Sequence, residues 1–103
     1  MNRGDIFRIR FPGRGREQRG PRFAVVVQAG ELMGLSTVIV VPTSRSAAAA
    51  TFRPEVEVAG EKTRILVEQL RAVDRQRLGE PSGRLTASEL RAVDEALELV
   101  LGL

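Results

Sequence analysis

The chain has 103 residues, no cysteine and no histidine, and carries a formal net charge of +3 at pH 7. Without cysteine it can form neither disulfides nor thiolate metal sites, and without histidine it has no imidazole to act as base, nucleophile or metal ligand. Catalytic triads of serine or cysteine are therefore excluded, and a zinc site is not expected. Any catalysis has to use Arg, Lys, Asp, Glu, Ser or Thr.

The length predicts one domain covering residues 1–103, with a core modest enough that a homodimer would be unsurprising. No apolar run approaches the roughly 18 residues that suggest a membrane span. The N-terminus has no apolar segment behind its first charges, so a secretion signal is not expected. We therefore expect a cytoplasmic protein that does not contact a membrane, and the absence of cysteine fits a reducing compartment.

Positive charge is concentrated in the first part of the chain. Residues 1–22 hold seven arginines against Asp5 and Glu17, whereas residues 86–103 hold Arg91 against four acids. The planar fork of arginine matches phosphate oxygens, so a nucleic acid is a natural partner. Codon usage in a GC-rich genome explains the abundance of arginine equally well, but the uneven distribution favours such a partner.

The first elements are two strands joined by a charged loop. Residues 5–11 alternate, with Phe7, Ile9 and Phe11 on one face, which predicts a strand with one buried side. A loop rich in glycine and arginine follows. The β-branched run 23–27 then predicts a strand that is covered on both faces and holds the end of the loop still.

The middle of the chain predicts further strands. Residues 35–41 are β-branched and predict a central strand that Pro42 ends, because proline donates no ladder hydrogen bond. Residues 44–50 are ambiguous, since their alanines favour a helical turn but are too few to form a helix alone. Residues 52–58 alternate again, as expected for a strand with Val56 and Val58 on one side.

The last part of the chain ends in a helix. Gly60 predicts a hairpin turn, residues 63–70 continue the sheet, and residues 78–83 are rich in turn-forming residues. Residues 86–89 form a capping box, and Gly102 ends the helix that it begins. Its apolar face, which we expect to contact the core or a dimer partner, consists of Leu90, Val93, Leu97, Val100 and Leu101. The predicted fold is mainly β with a C-terminal α-helix, in a small, strongly bent antiparallel sheet or open barrel.

Four motifs in register resemble the MazF/PemK toxins of type II toxin–antitoxin systems. They are residues 3–7, residues 15–18 followed by Arg22 at the start of an apolar strand, residues 41–44, and residues 65–78. The terminal amphipathic helix matches as well, so the resemblance covers essentially the whole chain.

The resemblance implies an SH3-like barrel that dimerises and cleaves single-stranded RNA at short sequences without a metal or other cofactor. The products would carry a 2′,3′-cyclic phosphate and a 5′-hydroxyl, and the disordered tail of a cognate, MazE-like antitoxin would occupy the RNA groove. The catalytic pair of the family maps onto Arg22 and Thr43. One residue departs from the pattern, since the family has Arg-Pro where this chain has Phe23 after Arg22, with Pro21 before it.

Cleavage of RNA by its own 2′-hydroxyl requires a fixed cation near the phosphate, and Arg22 at the start of a strand fits this role. The hydroxyl of Thr43 can bind a phosphate oxygen, and Glu17 is the one carboxylate of the loop and a candidate general base. The ordinary alternatives are a solvated loop cation, a turn threonine and a carboxylate paired with neighbouring arginines.

Seven further residues are predicted to bind RNA: Arg14, Arg16, Gln18, Arg19, Ser44, Glu68 and Gln69. The loop arginines among them would grip backbone phosphates, which adds affinity more than sequence choice. Glu68 and Gln69 could contact bases or shape the dimer. Two other functions stay open, namely a CcdB-like gyrase poison that shares the barrel and a non-catalytic RNA-binding module.

Overall fold

The computed structural model of the protein describes residues 1–11 and 20–103. Within those ranges the chain forms strands β1 Asp5–Phe11, β2 Gly20–Val26, β3 Thr37–Ser44, β4 Glu55–Val58, β5 Glu61–Ile65, β6 Arg71–Asp74 and β7 Pro81–Arg84, and helix α1 Ala87–Leu101. Short 3₁₀ turns occupy Gly30–Leu32, Val67–Gln69 and Arg75–Arg77. The predicted site residues Arg14, Arg16, Glu17, Gln18 and Arg19 lie outside the described residues.

Strand β3 is the centre of the sheet because it pairs with other strands along both edges. On one edge it pairs with β2, β2 pairs with β1, and β1 pairs with β7. On the other edge residues 37–40 pair with β6, and then Thr43 and Ser44 pair with β5, whose other neighbour is β4. Every pair is antiparallel, and two strands that share one edge of β3 bend the sheet toward a barrel. The predicted architecture is therefore confirmed.

Apolar clusters cover both faces of the sheet, as the pattern of β2 predicts. Successive side chains on a strand point to opposite faces. Val25 accordingly packs with Val93 of α1 in one cluster, which we call the helix-side cluster. Ala24 and Val26 pack with Phe11 of β1 in a second cluster on the other face.

The prediction of one buried side for β1 is wrong at its first half. Ile9 and Phe11 are buried on the predicted face, but Ile6 is buried too, on the opposite face and in the helix-side cluster. The reason is that α1 packs against the beginning of β1. Arg8 and Arg10, which share the face of Ile6, lie farther along and are exposed.

The prediction that Pro42 ends its strand is also wrong, because β3 continues to Ser44. Pro42 pairs with Ala24 of β2, and its carbonyl oxygen accepts a hydrogen bond of 2.9 Å from the backbone N–H of Leu66. The N–H and C=O of one strand residue point to the same edge. The missing N–H of Pro42 therefore faces the segment between β5 and β6, and the pairing with β2 loses nothing.

The predicted strand over residues 63–70 is interrupted. Strand β5 ends at Ile65, and a 3₁₀ turn over Val67–Gln69 leads into β6. The turn is needed because β5 and β6 pair with successive halves of the same edge of β3. The apolar run gave no sign of this break, since Leu66 and Val67 are as deeply buried as strand residues.

Two other connections differ in how well local residues predicted them. The hairpin between β4 and β5 turns at Ala59 and Gly60, whose φ angles of 53° and 80° are both positive, so the predicted turn is confirmed.

The segment of residues 78–83, predicted as turns, contains most of β7, which pairs with β1 at two positions. Its first residue, Pro81, suits an edge strand. Residues 45–50 form no regular structure.

Helix α1 begins at the predicted capping box. The side chain of Thr86 accepts a hydrogen bond from the N–H of Glu89, whose carboxylate accepts one from the N–H of Thr86. Val93 of α1 is buried against the core. The C-terminal end of the helix exposes Leu99, Val100 and Leu101, and Leu103 after it is exposed as well. Among the described residues, no helix has the length and apolar content needed to cross a membrane.

Candidate active site

A groove of about 530 Å³ opens beside the strand pairs β1–β2 and β3–β5. It is lined by Arg8, Arg22, Phe23, Thr43, Ser44, Arg45, Val58, Ala59, Glu61 and Thr63. Three arginines against one carboxylate make this lining cationic. The structure thus brings together three of the predicted site residues, Arg22, Thr43 and Ser44.

The pairing of β2 with β3 brings Arg22 close to Thr43. Ala24 lies opposite Pro42, so the same register places Phe23 opposite Thr43 and Arg22 one residue farther on. The hydroxyl of Thr43 donates a hydrogen bond of 3.3 Å to the carbonyl oxygen of Phe23. The two residues that the family resemblance pairs therefore lie close together on the adjacent strands β2 and β3.

Arg22 carries an unused donor in this groove. Its Nε is buried and has no hydrogen-bond partner within the described residues. A buried donor left unpaired costs about 1–3 kcal/mol, and more when the group is charged. An anion that reached this N–H would remove that cost, so the guanidinium is arranged to receive an oxyanion.

The hydroxyl groups of Thr43 and Ser44 form the inner wall. Both residues are buried, with Thr43 only 4% exposed. The 3.3 Å bond of Thr43 is long for a hydroxyl, for which about 2.7–2.8 Å is usual, so its proton is weakly held by the protein. The hydroxyl of Ser44 lies 3.5 Å from that of Ser46. Either hydroxyl can therefore turn toward a bound phosphate.

Sequence reasoning missed the other seven residues that line the groove: Arg8, Phe23, Arg45, Val58, Ala59, Glu61 and Thr63. Arg8 fell on the solvent face of β1, and only the register with β2 reveals what it faces. Arg45 lies in the segment left ambiguous and forms an exposed ion pair with Glu61. Such a surface pair contributes about 0–1 kcal/mol, so a ligand can displace it at little cost.

Glu68 and Gln69 do not line the groove and lie instead in the 3₁₀ turn between β5 and β6. The carboxylate of Glu68 pairs with the guanidinium of Arg53 at 2.6 Å, with both side chains about a quarter exposed. Arg53 also donates a hydrogen bond of 3.1 Å to the carbonyl oxygen of Ala48. The pair ties this turn to the irregular segment after β3.

Acidic side chains are dispersed in the part of the chain that the structure describes. No group of three or more that could hold a metal ion occurs among the described residues. Glu61 is the carboxylate that lines the groove there, and it is paired with Arg45. The arrangement that these residues offer a ligand is one of cationic and hydroxyl donors.

Known proteins share both the sequence and the fold. Residues 2–101 match the family described as PemK-like, MazF-like toxin of type II toxin-antitoxin system. A candidate toxin of Mycobacterium tuberculosis is 46% identical over 104 residues, which cover 98% of this chain and 97% of that protein. The endoribonuclease MazF9 of the same organism is 34% identical over 116 residues, covering 100% and 98% of the two chains.

Two solved structures share the barrel. The crystal structure of MazF from Deinococcus radiodurans matches with a TM-score of 0.88 and 25% identity, covering 100% of this chain and 97% of that one. A mycobacterial endoribonuclease in complex with its cognate antitoxin matches with a TM-score of 0.84 and 16% identity, covering 100% and 96%. The resemblance seen in the sequence is confirmed, and the chain belongs to the PemK/MazF family of toxins of type II toxin–antitoxin systems.

Proposed function

We propose that this chain is an endoribonuclease toxin that cleaves single-stranded RNA at short sequences and is neutralised by a cognate antitoxin. The observation that carries the proposal is the buried Nε of Arg22, which has no hydrogen-bond partner among the described residues, in a cationic groove that Thr43 also lines. Relatives named as endoribonucleases, at 34% identity over nearly their whole lengths, support it.

The proposed reaction needs no metal ion or other cofactor. The 2′-oxygen of a ribose loses its proton and bonds to the adjacent phosphorus, while the bond from phosphorus to the 5′-oxygen breaks and that oxygen gains a proton from water. The products carry a 2′,3′-cyclic phosphate and a 5′-hydroxyl. Negative charge grows on the non-bridging oxygens, where the guanidinium of Arg22 stabilises it with charge-assisted hydrogen bonds.

The other residues divide the remaining tasks. In this mechanism Thr43 donates its hydroxyl to a non-bridging oxygen, and Ser44 assists it. Glu17 remains our candidate for the base that removes the proton of the 2′-hydroxyl. Arg14, Arg16, Gln18 and Arg19 of the same loop would hold the RNA backbone.

The proposed function also implies protein partners. Solved relatives in complex with an antitoxin support neutralisation of this chain by a MazE-like antitoxin whose disordered tail covers the groove. We also propose a homodimer. Val100 and Leu101 of the predicted stripe are exposed at the end of α1 together with Leu99 and Leu103, and these four residues are available for that contact.

Incubating the purified protein with long single-stranded RNA in EDTA tests the function. We expect cuts at discrete sites and fragments with cyclic-phosphate and 5′-hydroxyl ends, and a mock preparation from cells without the gene controls for contaminating nucleases. RNA that is bound but left intact would indicate a non-catalytic RNA-binding module. Intact RNA together with gyrase-dependent DNA breaks would indicate a CcdB-like poison.

Substitutions at Thr43 distinguish the effect of its hydroxyl from the effect of its size and shape. Thr43→Val removes the hydroxyl and nearly preserves the volume, and we expect the single-turnover cleavage rate to fall about 10²-fold, as for loss of one transition-state donor. Because the bond to Phe23 is long, the free energy of unfolding should change by only about 1 kcal/mol. Thr43→Ser keeps the hydroxyl and should retain most of the rate. A valine variant that cuts as fast as the unchanged protein would remove Thr43 from the mechanism.

A further inference from the structure

Arg8 is an exposed cation that shares the groove with Arg22 and has no part in the mechanism above. It lies opposite Phe23 in the pairing of β1 with β2, and its guanidinium carbon stands 4.9 Å from the centroid of the phenyl ring. An arginine stacked on a ring in this way keeps the N–H donors at the edge of its plane available. The pair therefore presents an oriented guanidinium to the groove.

The three arginines of the groove differ in their carboxylate partners. Arg45 is paired with Glu61, whereas neither Arg8 nor Arg22 forms an ion pair with any acid of the described residues. An anion that enters the groove thus meets two cations whose charge no acid of the described residues neutralises. Arg8 pairs with Phe23 and Arg22 with the next residue of β1, Ile9, so the two arginines are one residue apart in register. Their side chains leave the sheet on opposite faces, yet both residues line the groove.

The backbone of Arg8 is fixed by hydrogen bonds that do not involve its side chain. Its N–H donates to the carbonyl oxygen of Glu80 at 3.0 Å, and its carbonyl oxygen accepts a bond of 2.6 Å from the N–H of Gly79. A Cβ at Gly79 would lie 2.9 Å from that oxygen, so the close approach requires glycine. Side chains on strands held in this way are positioned more accurately than those on loops.

We propose that Arg8 is a further substrate-binding residue, which binds an RNA phosphate beside the one that Arg22 contacts. Phe23, the residue at which this chain departs from the pattern of its family, positions the guanidinium of Arg8. The inference rests on the proposed function, because it takes single-stranded RNA as the ligand of the groove. Since Arg8 does not contact the scissile phosphate, its loss weakens binding and leaves the chemical step nearly unchanged.

The test compares Arg8→Gln with Arg91→Gln, which removes the same charge from an exposed position of α1 outside the groove. The probe is a fluorescent oligonucleotide that carries a site cut by the unchanged protein, with a 2′-O-methyl group at the cleaved position. Its affinity is measured by anisotropy between about 50 and 200 mM salt. Cleavage of the unmodified oligonucleotide gives kcat and KM, and a thermal melt checks that each variant is folded.

We expect Arg8→Gln to weaken binding by about tenfold and to reduce the slope of log affinity against log salt by about 0.7, the value for one phosphate contact on a single strand. KM should rise by a similar factor while kcat stays within about twofold, which a general disturbance of the fold would not produce. Arg91→Gln should change neither quantity. Arg8→Lys should restore the salt slope. Phe23→Leu should weaken binding but leave the salt slope unchanged.

Other results overturn the inference in distinguishable ways. If the unchanged protein cuts RNA but Arg8→Gln keeps the salt slope and KM of Arg91→Gln, then Arg8 does not bind phosphate and the proposed function stands. If Arg8→Gln lowers kcat as strongly as it weakens binding, the residue acts on the reacting phosphate and the assigned role is wrong. If the unchanged protein neither cuts nor binds RNA, both proposals fail together.

Discussion

Arg22→Ala should lower the single-turnover rate of RNA cleavage by about 10²–10³-fold, the usual effect of losing one preorganised transition-state donor. The free energy of unfolding should change by no more than about 1 kcal/mol, because the substitution also removes a buried N–H that has no partner within the described residues. Fragment formation from RNA measures the first quantity, and chemical denaturation measures the second.

Arg22→Lys is the matched control for charge. Lysine keeps the positive charge but offers a compact ammonium in place of the planar fork, so we expect it to recover only part of the lost rate. Full recovery would mean that charge alone suffices. An alanine variant that cuts at the normal rate would show that the guanidinium has no role in catalysis.

Phe11→Ala should reduce the free energy of unfolding by about 3–5 kcal/mol, as for other large aromatic side chains removed from a core. Phe11 is only 1% exposed and packs with Val38 and Val40 on the face opposite α1. The guanidinium carbon of Arg71 lies 4.1 Å from the centroid of its ring, so the substitution also removes a cation–π contact. The chain has neither tryptophan nor tyrosine, so far-ultraviolet circular dichroism is the suitable probe of unfolding.

Phe11→Leu keeps most of the apolar volume at this position and should lose clearly less stability than Phe11→Ala. Loss of less than about 1 kcal/mol in the alanine variant would be incompatible with a phenyl ring at the centre of a packed cluster. Because few domains exceed about 15 kcal/mol of stability, the expected loss is a large part of the total.

The features that the sequence predicted well are those that neighbouring residues determine. The capping box at Thr86 and the turn at Gly60 depend on hydrogen bonds or φ angles within a few positions, and both are found where expected. The valine run of β2 predicted burial on both faces because period-two alternation decides which face each residue occupies. Local chemistry was sufficient in all three cases.

The features that the sequence predicted wrongly depend on strands that are distant in the chain. Whether Pro42 ends β3 depends on which edge its missing N–H faces, and that edge belongs to strands formed by later residues. The break at Leu66 and the pairing of β7 with β1 have the same origin. A propensity or an apolar run carries no information about which partner stands on each side.

The candidate site shows the same division. Arg22 and Thr43 could be singled out by their predicted positions at a strand start and a strand end, together with the family resemblance. In the structure β2 begins earlier, at Gly20, so Arg22 lies within the strand. Arg8 could not, since alternation along β1 gives only its face and the register with Phe23 gives its neighbour. The arginines and Glu17 of the loop lie outside the described residues, so their roles remain predictions.

The position of Thr43 on β3 has a consequence for when the groove can form during synthesis of the chain. Thr43 lies between β2, which precedes it in the chain, and Ile65 of β5, which follows it. The groove also needs Glu61 and Thr63, so it cannot be complete while those residues are still inside the ribosome. Pairings between distant strands are slow to form, because the entropy of closing the intervening loop opposes them. A nascent chain therefore has no complete groove until strand β5 has left the ribosome and paired with β3.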